Sequence, residues 1–323
     1  MSFSSKVKDE LARIFPRSRH CQIAEITAFI NMLGYIKISE DNRFKLSIST
    51  EHSATARKYF TLLKKTYNIG INFIISQSML LGNKHSYKVC LEDDIEVKKI
   101  LESIKLLDVY GNIAEDYSVC NSMVLSKSCC KRAYLRGAFL SAGSLSNPEK
   151  GYHFEISTKS LSKAEDIKNI INSFGLESKI ILRKKNYVVY LKDSEDIISI
   201  LGIMQAPKLL MEMENIRILK EMRNNVNRQV NCETANINRT IIAAVKQVED
   251  IEYISKKVGL DNLPENLRDI AKIRLEYKDI SLKDLGNRLS PPVGKSGVNH
   301  RLRKLSEFAT KLRNESYREK NYD

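Results

Sequence analysis

Several things are missing from this sequence, and each lack removes a class of function. No apolar run approaches the roughly 18 residues that a membrane span needs; stretches such as Ile71 to Ile75 and Ile197 to Met204 are soon interrupted. The opening Met-Ser-Phe-Ser-Ser-Lys-Val-Lys-Asp-Glu has neither the apolar centre nor the small-residue cleavage site of a secretory signal, so a cytoplasmic protein with no membrane partner is expected. The cysteines (Cys21, Cys90, Cys120, Cys129, Cys130 and Cys232) contain no Cys-x-x-Cys pair and no His at zinc-ligand spacing. They read as structural thiols in a reducing compartment, with no metal and no cofactor expected. His20, His52, His85, His153 and His300 are scattered and accompany no Ser or Cys nucleophile framework. The Gly294-Lys295-Ser296 triplet has Leu289 where a phosphate loop needs its first glycine.

What the chain does have is positive charge. Its 323 residues carry 53 Lys or Arg against 39 Asp or Glu, a net charge of +14, which favours a polyanionic partner. The length allows two or three domains, each with its own core.

The charge is concentrated near the C-terminus. Ser281 with Asp284 three residues on makes a capping-box-like start to a helix carrying Leu282, Leu285 and Leu289. The segment Ser290-Pro291-Pro292-Val293-Gly294 ends that helix. From about Ser296 a second helix sets Val298, Leu302, Leu305, Ala309 and Leu312 on one buried stripe, while Lys295, Asn299 and Arg303 fall on another face. Between Ser281 and Arg313, eight basic residues stand against two acids. A basic helix face can be merely solvated, but a capped leading helix, a Pro-Pro turn and a separate apolar stripe together spell a helix-turn-helix. Expected DNA contacts are Ser281, Lys283, Lys295, Ser296, Asn299, His300, Arg301, Arg303 and Lys304. Arg and Lys suit guanine edges and phosphates, and the Asn amide suits adenine. The second helix would occupy the major groove of double-stranded DNA.

The first two thirds contain a duplication. Phe44-Lys-Leu-Ser-Ile-Ser-Thr50 recurs as Tyr152-His-Phe-Glu-Ile-Ser-Thr158, Asn72 to Ile75 as Lys179 to Leu182, and Tyr87 to Asp94 as Tyr187 to Ser194. Each copy opens with a helix rich in small and apolar residues, Ala24 to Gly34 and Ala133 to Gly143, and Ala28 and Gly137 would let those helices pack closely about a pseudo-twofold. The expected class is α+β, a duplicated pseudo-dimer followed by an all-α helix-turn-helix domain. The expected boundaries are 1–206 for the α+β domain, with repeats at about 20–115 and 130–206, and 260–313 for the helix-turn-helix domain. Between them 207–259 reads as a bridge of two helices separated by a polar, asparagine-rich segment that sets the angle between domains, and 314–323 as a disordered tail. The internal pseudo-twofold points to a monomer.

The leading helices resemble the LAGLIDADG motif of homing endonucleases over Ile26 to Gly34 and Leu135 to Gly143. In that family the last acid before the terminal Gly holds the metal for strand cleavage; here Leu33 and Ala142 occupy those places, and Asn31 and Leu140 the other acid position. The pair of acid-free motifs, together with Ser290 to Lys304 and Asn227 to Asn236, is similar to the WhiA family of bacterial sporulation and cell-division transcription regulators, over about Ser2 to Arg313.

The resemblance implies a non-enzymatic, nucleoid-associated DNA-binding regulator of transcription, cell division, chromosome segregation or sporulation. RNA polymerase or another regulator stays open as a protein partner. By analogy with the homing-endonuclease saddle, Lys131 and Arg132, with Arg183, Lys184 and Lys185 in a strand turn, would offer a second phosphate-contacting surface. Two rival readings stay open. One is a nuclease or RNA maturase with relocated acids, for which Glu25, Asp41 or Glu155 would have to serve, and the other is a protein-recruiting scaffold.

Overall fold

Alternating inward residues build two matching sheets in the first part of the chain, and helical spacing dictates the remainder. The computed structural model describes residues 2–41, 43–78, 84–107, 112–113 and 123–319. The chain divides into two compact units, Met1–Glu221 and Met222–Asp323.

In the first unit, α1 (Phe3–Ala12) buries Phe3, Val7 and Leu11. The first repeat then runs α2 (Arg19–Leu33), β1 (Gly34–Ile38), β2 (Phe44–Thr50), α3 (Ser53–Tyr67), β3 (Asn72–Ser78), β4 (Lys84–Leu91) and α4 (Asp94–Ser103). The second repeats that order as α5 (Ser128–Ala142), β5 (Gly143–Leu145), β6 (Phe154–Thr158), α6 (Leu161–Asn172), β7 (Lys179–Arg183), β8 (Asn186–Leu191) and α7 (Ser194–Ile203).

Both sheets are antiparallel, ordered β1-β2-β4-β3 and β5-β6-β8-β7. Their registers correspond as well: Gly34 faces Ile48 as Gly143 faces Ile156, and Leu46 faces Leu91 as Phe154 faces Leu191. The period of two drives Phe44, Leu46 and Ile48 inward and leaves Lys45 in solvent. Asp93 and Asp193 cap the closing helices α4 and α7 by accepting from backbone N–H groups.

The leading helices α2 and α5 form the centre of the unit. Buried residues of α2 run without a break from Ala24 to Asn31, and those of α5 from Ala133 to Leu140, so neither has a solvent face along those turns. Gly137 permits the approach, because a Cβ there would lie 2.8 Å from the Ala28 Cβ and 2.8 Å from the Glu25 carbonyl oxygen. One charged cluster is sealed inside. Glu25 receives two hydrogen bonds from Arg136, at 3.0 and 2.9 Å, and an ion pair from Lys58, whose Nζ also donates to the Leu11 carbonyl at 2.8 Å. Burial pulls the Lys58 ammonium down to about 8 against the opposing attraction of Glu25.

Three expectations about the linking and terminal segments do not hold. The bridge is a single helix, α8 (Pro207–Lys257), with no interruption at the asparagines. No Gly or Pro lies between Lys208 and Val258 to stop it, and Asn costs a helix interior only a few tenths of a kcal/mol, about 0.7 at most. The second unit consequently starts well before 260, because α8 carries Ile251 and Ile254 into its core. The tail expected to be disordered is helical through Glu319; positions 320–323, like Cys120 and much of the end of the first repeat, lie outside the described residues.

The second unit adds α9 (Glu265–Glu276), α10 (Leu282–Asn287) and α11 (Lys295–Glu319) to the end of α8. Leu285, Leu289, Val298, Leu302, Leu305 and Ala309 close its core with Ile270 and Ala271 from α9.

Candidate nucleic-acid interface

The α10–turn–α11 segment is built as its sequence pattern demands. The Ser281 side chain caps α10 by accepting from the Asp284 backbone N–H at 3.3 Å, and its hydroxyl donates to Asp284 Oδ2 at 2.7 Å. Val293 N–H donates to the Gly286 carbonyl at 3.0 Å, folding the turn back onto α10. Glycine is required at 286 because a Cβ would sit 2.0 Å from the Val293 oxygen. Behind the segment, the buried Arg274 guanidinium donates to the Ile280 carbonyl at 2.9 Å, and the Arg288 guanidinium lies 3.9 Å from the centre of the Tyr277 ring. Arg313 donates to the buried Asp250 at 2.6 Å, anchoring the far part of α11 on α8.

On this frame α11 buries Val298, Leu302, Leu305 and Ala309 and exposes Lys295, Ser296, Asn299, His300, Arg303 and Lys304. Lys283 is exposed on α10 and Ser281 at its N-cap. Arg303 is held outward by an i,i+4 pair with Glu307 at 3.1 Å. Arg301 departs from the expected set: it is half-buried, and its Nη1 donates to the Asn266 carbonyl at 3.5 Å. At 3.6 residues per turn, position 301 falls on the flank of the buried stripe rather than among the exposed residues.

The structure adds side chains that the sequence pattern did not single out. Arg239, Thr240 and Gln247 from α8 line a cavity of ≈ 400 Å³ together with Ser281, Lys295 and Asn299. They come from a segment more than one helix away in sequence, so no local spacing signals their proximity to α11.

In the first unit the proposed secondary contacts separate into two groups. Lys131 Nζ donates to Ser173 Oγ at 3.2 Å and the Arg132 guanidinium lies over the Phe174 ring at 5.9 Å, so both side chains are turned onto the end of α6. Arg183, Lys184 and Lys185 are exposed at the tight β7–β8 turn, where Lys184 has a left-handed backbone with φ of 57°.

The geometry also bears on the relocated acids. Glu25 is fully buried and neutralised by two cations. Glu155 is paired with His153 at 3.1 Å and Arg183 at 3.8 Å, while Asp41 is exposed. At the end of α2 the Lys163 ammonium, its pKa lowered by burial, donates to the Asn31 carbonyl at 2.6 Å. A cation is already placed next to the position where the homing-endonuclease pattern would supply an acid.

Two acid-free LAGLIDADG-like repeats followed by a helix-turn-helix define the class of this protein. Three family models match in that order: the WhiA N-terminal LAGLIDADG-like domain over 19–107, the WhiA LAGLIDADG-like domain over 131–223, and the WhiA C-terminal HTH domain over 226–309. The chain belongs to the WhiA family. It is 49% identical over 313 residues to the probable cell division protein WhiA of Alkaliphilus oremlandii, covering 97% of this chain and 98% of that protein. It is 48% identical over 314 residues to the probable cell division protein WhiA of Thermoanaerobacter pseudethanolicus, with the same coverage, 97% and 98%. Among solved structures, full-length DUF199/WhiA from Thermatoga maritima is similar with a TM-score of 0.58 and 26% identity, over 96% of this chain and 99% of that one. No helix among the described residues is long and apolar enough to cross a membrane.

Proposed function

We propose that this protein is a sequence-specific, double-stranded DNA-binding transcription regulator that acts in cell division at the nucleoid and does not cleave DNA. The observation that carries the reading is the exposed face of α11, where Lys295, Asn299 and Arg303 recur every fourth residue beside His300 and Lys304. Such a face offers an amide for an adenine edge, a guanidinium for guanine and ammonium groups for phosphates on one rigid helix. The first turn of α11 enters the groove foremost, as in other helix-turn-helix domains. Arg239 on α8, which lines the same cavity as Lys295 and Asn299, supplies a further cation, and Arg183, Lys184 and Lys185 a separate phosphate contact.

Absence of cleavage follows from Leu33 and Ala142 at the acid positions, since two-metal hydrolysis needs carboxylates there. The internal repeat supplies both halves of the pseudo-dimer, so a monomer suffices for the fold. RNA polymerase or another regulator is the protein partner that a transcriptional role requires.

The test uses the full chain. Duplexes enriched from a random pool are compared with scrambled duplexes for affinity across a salt series, with magnesium present, and the DNA is then run on a denaturing gel. The expected result is a steep salt dependence, preference for the enriched sequence that Asn299→Ala removes, and intact strands. Cut strands, or unchanged preference in a variant lacking Lys295, Asn299 and Arg303 together, would reject the reading.

A further inference from the structure

The first turns of α2 and α5 bring together two adjacent pairs of groups, one pair from each repeat, that are remote from each other in sequence. One donor atom from each of His20, Cys21, Cys129 and Cys130 lies within 4.8 Å of all the others. His20 Nδ1 is 3.2 Å from Cys21 Sγ and 3.2 Å from Cys130 Sγ. Cys21 and Cys130 are buried, while His20 and Cys129 stand at the solvent edge where an ion could enter.

The duplication explains the grouping. Gly34 and Gly143 close equivalent helices, and the same spacing carries His20 onto Cys129 and Cys21 onto Cys130. Each repeat thus contributes one adjacent pair of donors, placed about the pseudo-twofold. A tetrahedron contains a twofold axis, so two pairs related in this way suit a four-coordinate ion.

We infer that His20, Cys21, Cys129 and Cys130 form a tetrahedral zinc site that clasps the first repeat to the second. Three sulfurs and one imidazole are a structural zinc donor set, and the absence of oxygen donors from it disfavours magnesium and calcium. With Zn–S near 2.3 Å and Zn–N near 2.0 Å, donor atoms of a tetrahedral site stand about 3.5–3.8 Å apart, and the four donor atoms here lie within 4.8 Å of one another. Each thiol releases its proton to solvent as it takes the ion, and the imidazole binds in its neutral form.

Neither Ser18 nor Lys127 provides a side-chain cap to the helix that follows it, which leaves the positive ends of both helix dipoles to balance the thiolates. A disulfide between any two of these cysteines would use two sulfurs and leave the third thiol and the imidazole without a role. The site lies at the opposite end of the leading helices from Leu33 and Ala142, roughly 18 Å along α2 at 1.5 Å per residue. It is therefore separate from the place where homing endonucleases hold their cleavage metals. Its role is structural: free energy of binding becomes free energy of docking α2 against α5.

The experiment is metal analysis of the full chain, purified under reducing conditions without chelator, with cobalt(II) titration as a spectroscopic probe. One zinc per chain is expected, replaceable by cobalt with the intense visible bands of tetrahedral thiolate coordination. Cys129→Ser and His20→Ala change solvent-edge residues, so they should stay folded by circular dichroism while losing those bands or shifting them. Cys232→Ser, an exposed cysteine on α8, should keep them. The inference is overturned if the folded wild-type chain binds neither metal at a stoichiometry near one. It is equally overturned if Cys129→Ser and His20→Ala leave the cobalt spectrum unchanged.

Discussion

Glu25 of the first repeat and Arg136 of the second form a two-pronged ion pair inside the α2–α5 interface, with Nε to Oε1 at 3.0 Å and Nη2 to Oε2 at 2.9 Å. The repeat spacing carries Glu25 onto Tyr134 and Arg136 onto Thr27, so the pair exists in one direction only. Two copies of either half could not make it. The duplicated unit has therefore become committed to joining unlike halves, and Lys58 and Gln205 complete the cluster by binding Glu25 and Arg136 respectively.

Removing one partner of that cluster should be costly. Glu25→Gln leaves Arg136 and Lys58 buried without their counter-charge, and loss of about 3–5 kcal/mol is expected from breaking a buried pair. Urea unfolding followed by circular dichroism measures it. A loss under about 1 kcal/mol, the ordinary value for an exposed pair, would show that the cluster is hydrated and not sealed.

Gly137→Ala should loosen the same interface by steric means. The added Cβ meets Ala28 and the Glu25 carbonyl at 2.8 Å, and overpacking of this kind costs about 1–3 kcal/mol. Improved helix propensity returns up to about 1 kcal/mol. A net fall in thermal stability is expected, and a stabilised variant would mean that the helices separate readily.

Lys58 gives the first unit a pH signature. Its folded pKa is about 8 and its ordinary value 10.5, so between them the unfolded chain holds the extra proton and stability rises with pH. The penalty for burying the charged ammonium is fully present below about 8 and relieved towards 10.5. Comparing unfolding midpoints across that window with those of Lys58→Met isolates the effect. The wild type should gain stability relative to the variant as pH rises, and parallel curves would contradict the assignment.

In the second unit, Asn299→Ala and Lys304→Ala should differ in kind. Loss of an amide reading an adenine edge should cost about 1–3 kcal/mol of discrimination between target and random DNA. Loss of an ammonium on phosphate should weaken both equally and reduce the salt slope by about one. Binding isotherms for the two duplexes at several salt concentrations separate these cases, and a uniform loss for Asn299→Ala would remove it from the base-reading set.

Ser281→Ala tests whether the cap matters to the reader helix. Its side chain holds the Asp284 N–H at the start of α10, and removing such a cap costs about 1 kcal/mol. A lowered melting temperature of the second unit, read by a local probe, is the expected outcome.

Periodicity and local chemistry, which need no distant partner, were legible from the sequence. The inward Phe44, Leu46 and Ile48 announced a strand, their recurrence at Phe154 and Ile156 announced a second copy, and Ser281 with Val298, Leu302 and Leu305 announced a capped helix-turn-helix. Leu33 and Ala142 showed the missing acids directly, because a motif position is a matter of count. The asparagines of α8 misled because a dense run of turn-forming residues suggests a break, whereas the absence of Gly and Pro let the helix continue. Only tertiary structure decided which remote residues meet. It turned Arg301 towards Asn266, set Arg239 and Lys295 around one cavity, sealed Glu25 between Lys58 and Arg136, and gathered His20, Cys21, Cys129 and Cys130 at the start of α2 and α5. The physical reason is that periodicity fixes which face of an element is buried, while the identity of the element packed against that face depends on the closure of the whole chain.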